Sequence, residues 1–218
     1  MPRSDSRTKP VNRGIPAPSL LLVFIPIILV ILGLCVTIPY LETPLPPMAM
    51  EAAVGGPFEL RDGSGQVVTD RSWPGKFLLI YFGYTHCPSV CPTTLANIGG
   101  ALDSIGKTAD RVQPLFITID PARDTSKVVA EYAQMFWPRL VGLTGTSSQI
   151  AQAAKEYDIY YAPHRDSPTG SDYSMDHTSV VYLVAPDGRI AATIDASRKA
   201  PQMAASITSA MNATRSPA

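Results

Sequence analysis

The chain has 218 residues, with 18 basic and 18 acidic side chains, 45% hydrophobic residues and 17% charged ones. That length fits one or at most two domains, and the apolar content excludes a long, highly charged disordered protein. The zero net charge hides a split: residues 1–18 hold Arg3, Arg7, Lys9 and Arg13 against Asp5 alone, while the remainder is mildly acidic without a basic cluster. Phosphate backbones require a positive footprint, so nucleic acid is set aside as a partner.

Residues 1–18 read as a cytoplasmic tail and residues 19–38 as a transmembrane anchor. No charged residue occurs from Gly14 to Leu41, and Leu20–Ile38 reads LLLVFIPIILVILGLCVTI. About 20 such residues cross a hydrocarbon core of ~30 Å, and Pro26 and Gly33 are tolerated in a lipid-embedded helix. A cleaved signal peptide has a shorter apolar region, about 7–15 residues, followed by a small-x-small site. Here Pro39 and TPLPPMAM follow instead, so residues 39–55 read as a stiff stalk. Lipidation of Cys35 is disfavoured by the bulky Leu34 before it. The positive tail stays inside, which exports residues 56–218. Prolines 2, 10, 16 and 18 make the tail a poor amphipathic transit helix. A bacterial inner membrane with a periplasmic domain is therefore favoured, with the mitochondrial inner membrane as the alternative.

The exported part begins with a hairpin over Phe58–Asp70, turning on Asp62-Gly63-Ser64-Gly65. Phe77–Tyr84 is a continuous apolar run expected to be a buried central strand. Leu95, Ile98, Leu102 and Ile105 recur at helical spacing, although Gly99 and Gly100 weaken that helix. Val112–Asp120 is a second strand. Thr125–Phe136 follows as an amphipathic helix with Val128, Val129, Tyr132, Met135 and Phe136 on one face. Leu140–Leu143 is a short strand, and Ser147 is expected to cap a helix turning Ile150, Ala153, Ala154 and Tyr157 inward. After a polar segment, Ala162–Asp176, two strands flank Pro186-Asp187-Gly188, and Pro201 opens a last helix with Met203, Ile207 and Met211 inward. The order is that of an α/β protein with one sheet flanked by helices.

Cys87 and Cys91 stand between the Phe77–Tyr84 strand and the first helix, in THCPSVCPTT. A strand-to-helix junction aims backbone N–H groups and the positive helix end at these positions, which stabilises thiolate. Pro88 and Pro92 make the segment stiff, a loop or first turn presenting two exposed sulfurs. A purely structural disulfide over so short a loop would contribute only about 2 kcal/mol, and a domain of this size can bury its own core. The pair is therefore expected to be redox-active or metal-binding. Structural zinc and iron–sulfur sites ordinarily need four protein ligands, whereas two sulfurs and one imidazole suit copper. Of the three histidines, His86 should point away from its neighbour Cys87, and His164 lies in a polar loop. His177 stands where a strand is about to begin, so it is favoured as the third ligand.

Three segments, GYTHCPSVCPTTL, ITIDPARDT and MDHTSVVYLVAPDGRI, together resemble the Sco (SenC) family of membrane-anchored copper proteins that help assemble cytochrome c oxidase. The resemblance runs from about Phe58 to Met211. It implies a thioredoxin-like fold with an N-terminal hairpin and an inserted loop, in agreement with the element order. It also implies copper, as Cu(I) or Cu(II), on Cys87, Cys91 and His177, with Asp120 orienting a ligand or accepting a proton. Many relatives carry an acid between the cysteines where this chain has Ser89, which should ease thiolate formation slightly. Met175 is expected to pack, not to ligate, and Met48 and Met50 are incidental. The implied activity is copper delivery to the binuclear site of oxidase subunit II. A thiol-disulfide oxidoreductase using the redox pair Cys87 and Cys91 is the rival. Another periplasmic copper chaperone or a thiol reductant would be a further partner.

The anchor is directly testable. The protein should remain in the membrane fraction through alkaline carbonate washing; a soluble product with a new N-terminus after Ile38 would refute the span.

Overall fold

The computed structural model describes residues 54–164 and 173–214. The predicted span, the tail, the stalk up to residue 53, and Cys35 lie outside them. Among the described residues no helix is long and apolar enough to cross a membrane.

The leading hairpin forms as expected. Strands β1 (Glu59–Arg61) and β2 (Val67–Thr69) pair antiparallel, with Glu59 opposite Thr69. Asp62 closes the turn by accepting from the N–H groups of Ser64 and Gln66. Strand β3 (Phe77–Gly83) is buried at every residue. Its continuous apolar run is what a strand covered on both faces requires. Helix α1 (Val90–Ser104) follows, and a 3₁₀ segment (Gly106–Arg111) leads into β4 (Val112–Thr118), also buried throughout. Next come α2 (Ser126–Gln134), β5 (Val141–Leu143) and α3 (Ser147–Glu156). Strands β6 (Tyr161–His164) and β7 (Ser174–His177) precede β8 (Val180–Val184), β9 (Ile190–Asp195) and α4 (Ala200–Ala213).

The main sheet has the order β5-β4-β3-β8-β9. Strand β3 runs parallel to β4 and antiparallel to β8, so it is the central strand. Helices α1 and α4 pack on each other, and α2 packs over β5 and β4. This is the mixed α/β, thioredoxin-like arrangement that the sequence implied.

Four local readings need correction. The polar segment after residue 161 is not simply a loop: its flanks pair as β6 and β7 in a separate two-stranded ribbon, with Tyr161 opposite His177. The cap of α3 is Thr146, one residue earlier than expected. Its hydroxyl accepts from the N–H of Gln149, whose side chain accepts in return from the Thr146 N–H. Three cap-forming residues stand in a row there, and the glutamine three positions on selects the first. On α2, Val129 and Ala133 are buried, but Val128 and Met135 are exposed. Positions 129 and 133, with 132 and 136 beside them, define the inward stripe, and 128 and 135 fall on its flank.

The fourth correction concerns Gly99 and Gly100, which count against a helix in the sequence although α1 runs through both. A Cβ at Gly99 would stand 2.5 Å from the Phe136 carbonyl oxygen, whereas one at Gly100 would meet only the Ala200 methyl at 3.2 Å. Glycine at 99 is the condition for α1 to lie against the chain leaving α2. An exposed glycine in a helix ordinarily gains about 1 kcal/mol on becoming alanine. Gly99→Ala should instead lose about 1–3 kcal/mol by overpacking, and Gly100→Ala should cost clearly less. Urea unfolding of the two variants side by side checks the contrast.

Candidate metal centre

The centre is assembled where β3 ends and β8 begins. After Gly83 the chain turns through Tyr84–Ser89, with the Cys87 N–H donating to the Tyr84 carbonyl at 3.3 Å. Cys91 lies in the first turn of α1 and donates its backbone N–H to the Cys87 sulfur at 3.3 Å. Pro92 does not keep Cys91 out of the helix, because the N–H that a proline lacks has no intrahelical partner in a first turn. The two sulfurs are not equally exposed, contrary to the sequence reading. Cys87 is half-buried, Cys91 is fully buried, and both are free thiols.

Gly83 makes room for that burial. A Cβ there would stand 2.8 Å from the Cys91 sulfur and 2.9 Å from the Phe116 ring. On the other side the Tyr81 hydroxyl donates to the Cys91 sulfur at 3.7 Å.

His177 closes the group from 86 residues away, with Nε2 3.6 Å from the Cys91 sulfur. Its Nδ1 lies 2.9 Å from the Thr178 carbonyl. A carbonyl has no proton to give, so Nδ1 carries the hydrogen and Nε2 is the atom turned to the sulfurs. The ring is packed edge-on by Tyr84, at 6.1 Å and 88°, and by Tyr81 at 6.4 Å and 64°. Among the described residues no three His, Cys, Asp or Glu side chains stand ready-made around a metal position. Cys87, Cys91 and His177 hydrogen-bond to one another instead.

The electrostatics separate the two thiols. Cys87 is pushed well below the ordinary thiol range, first by a hydrogen bond from Cys91, then by His177 and by the backbone N–H groups of Cys91 and Ser89. Cys91 is pushed up, because its hydrogen is held on the Cys87 sulfur and because it is buried. Of the two sulfurs, Cys87, which accepts the Cys91 backbone N–H, is the one whose surroundings favour the thiolate. The first turn of α1 contains no acid, so nothing offsets the positive helix end beneath Cys87. Ser89 occupies the N-cap without a side-chain capping bond.

The other expected residues fall as follows. Asp120 is buried and binds the Arg123 guanidinium and the Tyr173 hydroxyl, the latter at 2.8 Å. Among the described residues it makes no hydrogen bond to Cys87, Cys91 or His177. Its reach toward them is indirect, since Tyr173 immediately precedes β7, the strand that ends in His177. Met175 is buried in the core, as a packing residue should be. His164 is exposed at the far end of the β6–β7 ribbon from His177, 4.0 Å from Asp176. His86 is exposed, and its Nδ1 faces the Thr85 hydroxyl at 3.1 Å.

One acid in the site was missed. Asp124 is fully buried and accepts from the Thr85 N–H at 3.0 Å, the Thr85 hydroxyl at 2.5 Å and the Thr118 hydroxyl at 2.6 Å. It braces the cysteine loop against the end of β4. The signal lay in the second acid of ITIDPARDT, overshadowed by the first.

A family model described as SCO1/SenC matches residues 46–212. The mitochondrial SCO1 homolog of Homo sapiens is 42% identical over 164 residues, covering 74% of this chain and 54% of its own length. The mitochondrial SCO2 of Saccharomyces cerevisiae is 41% identical over 138 residues, covering 63% of this chain and 46% of its own. The chain thus spans about half the length of the curated relatives it matches. Both of these relatives are named as mitochondrial proteins. Among solved structures, Bradyrhizobium japonicum ScoI with copper bound is 43% identical with a TM-score of 0.65, covering 72% of this chain and 99% of that one. Arabidopsis thaliana ScoI with copper bound is 35% identical with a TM-score of 0.69, covering 74% of this chain and 99% of that one. The family model covers most of the chain, and the fold is shared with copper-bound ScoI structures: the chain belongs to the SCO1/SenC family.

Proposed function

We propose that this protein is a membrane-anchored copper chaperone that holds one copper ion on Cys87, Cys91 and His177. It passes the ion to the binuclear copper site of cytochrome c oxidase subunit II. The observation that carries this reading is the 3.6 Å approach of His177 Nε2 to the Cys91 sulfur, with Nδ1 tied to a carbonyl. Two soft sulfurs and one oriented imidazole form a three-donor set suited to copper. The copper-bound relatives support the same cargo. Copper ligation needs both sulfurs as thiolates, so copper uptake displaces the thiol hydrogen and releases it. Cys87, half-buried and the more acidic of the pair, is the sulfur an acceptor protein can reach first. Asp120 supports the site through Tyr173 and Arg123, not by touching a ligand. The compartment follows the mitochondrial names of the relatives, with the domain on the far side of the inner membrane from the positive tail.

A thiol-disulfide oxidoreductase is the second reading, favoured by the same inequality of the thiols. An accessible low-pKa cysteine attacks a disulfide, and a buried neighbour resolves the mixed intermediate. In that case the substrate is the cysteine pair of the oxidase site, reduced before metal loading. A thiol reductant or another copper chaperone would then act on this protein in turn.

Three outcomes check the proposal. Reduced, anaerobic protein should bind about one copper, and Cys87→Ser/Cys91→Ser should bind none. His177→Ala should lose more than the ~10–100-fold in affinity that removing a ligand's outer partner costs. Unchanged affinity would remove His177 from the site. Copper uptake should also require the dithiol, because a Cys87–Cys91 disulfide offers no thiolate. Stoichiometric binding by the oxidised form, with free thiols counted in parallel, would overturn that gate.

A further inference from the structure

We infer that His86 is the landing ligand of the centre: its Nε2 takes Cu(I) from a donor, passes it to Cys87 and then lets go. The inference deepens the function proposed above and rests on it.

The three ligands cannot be met at once from solvent. Cys91 is fully buried, Cys87 is half-buried and His177 is partly covered. An ion arriving on another molecule exchanges its ligands one at a time, so the first contact falls to a donor outside the buried set. His86 immediately precedes Cys87 on the same loop, and its side chain is 52% exposed.

The ring is nevertheless held from behind. The Thr85 hydroxyl gives its one hydrogen to the buried Asp124 at 2.5 Å. Towards His86 Nδ1, 3.1 Å away, the same hydroxyl can only accept. Asp124 itself lies 3.8 Å from Nδ1 and takes two further hydrogen bonds, from the Thr85 N–H and the Thr118 hydroxyl. Nδ1 of the neutral ring therefore carries the hydrogen, and Nε2 keeps its lone pair. His177 is prepared in the same way, with Nδ1 2.9 Å from a carbonyl and Nε2 turned to the sulfurs. Metal-binding imidazoles are characteristically oriented by such a partner on the other nitrogen. A histidine that only solvates a loop has no use for a buried carboxyl behind it.

The transfer moves no electrons. A Cu(I)–Nε2 bond forms as one ligand of the donor leaves, and a bond to the Cys87 sulfur follows. Cys91 and His177 then displace Nε2, and the thiol hydrogen passes to water. A lone imidazole holds a soft ion too weakly to add to the final affinity, so His86 governs rates and not the equilibrium.

The experiment mixes the reduced, detergent-solubilised full chain anaerobically with the Cu(I) complex of bathocuproine disulfonate, whose colour reports rate and partition together. His86→Ala should take up copper roughly ten-fold more slowly, release it to excess chelator more slowly by the same factor, and leave the partition unchanged. Equal rates overturn the inference. A loss of affinity matching the loss of rate also overturns it, because His86 would then shape the finished site. His86→Asn keeps an N–H where Nδ1 stood and lacks Nε2. It should be as slow as His86→Ala, and a normal rate would reduce His86 to a brace for the loop. Without copper, ¹⁵N shifts of the His86 ring should place its hydrogen on Nδ1, and a hydrogen on Nε2 overturns the inference. Copper uptake by neither the unsubstituted protein nor the variants would instead defeat the proposed cargo, and this inference with it.

Discussion

Tyr81 of β3 lies opposite Val181 of β8, and this antiparallel register sets the level at which the C-terminal end of β3 meets the N-terminal end of β8. Everything in the site depends on that level. The cysteine loop leaves β3 just beyond Gly83, and His177 sits three residues before β8 begins. Two segments 86 residues apart are thereby delivered to the same sheet edge. A slip of one residue would turn Tyr81 to the other face and strip Cys91 of its hydroxyl donor. The buried sheet excludes such a slip, because every residue of β3 and β4 is already committed to the core. The site's precision is thus a by-product of hydrophobic burial at its base.

The inequality of the cysteines follows from the same arrangement. Cys91 is one turn into α1 and points back at the sheet, where Gly83 leaves room for its sulfur and no room for water. Cys87, still in the loop, keeps contact with solvent and collects backbone N–H groups. Burial and hydrogen bonding push their acidities in opposite directions. Under the proposed function, an exchangeable outer sulfur and a retained inner one would suit a protein that holds an ion and then releases it.

The sequence was most legible where one physical signal dominated. The continuous apolar run of β3, the strands β4 and β8, the Asp-Gly turns and the inward stripes of α3 and α4 all emerged as expected. The ribbon β6–β7 was hidden because YAPH and SMDH show no apolar alternation; their pairing is set by the backbone and by the ends they connect. Cys91 was read as exposed because flanking prolines suggest a loop, and nothing local records that Gly83 faces it from another element. The chemistry at Cys87, Cys91 and His177 was recognisable as a donor set. The neighbours that give each donor its character were not, because they come from β3, β7 and the loop after β4.

Asp124 shows why such neighbours escape a reading by residue type. An unpaired buried carboxylate costs several kcal/mol, and a chain does not retain one without partners. Here Thr85 and Thr118 supply three hydrogen bonds to its two oxygens, and Thr144 donates to its backbone carbonyl at 2.8 Å. One side chain thereby ties the residue two before Cys87 to β4, and its own backbone ties the same loop to the residue that follows β5. Its partner in the motif, Asp120, reaches the opposite way through Arg123, whose guanidinium lies 3.7 Å over the Tyr173 ring beside β7. The two acids of ITIDPARDT thus divide the work. One braces the loop that carries the sulfurs, and the other braces the ribbon that carries the imidazole. The loop after β4 is the common abutment, and it holds both halves of the centre at a fixed separation while contributing no ligand itself.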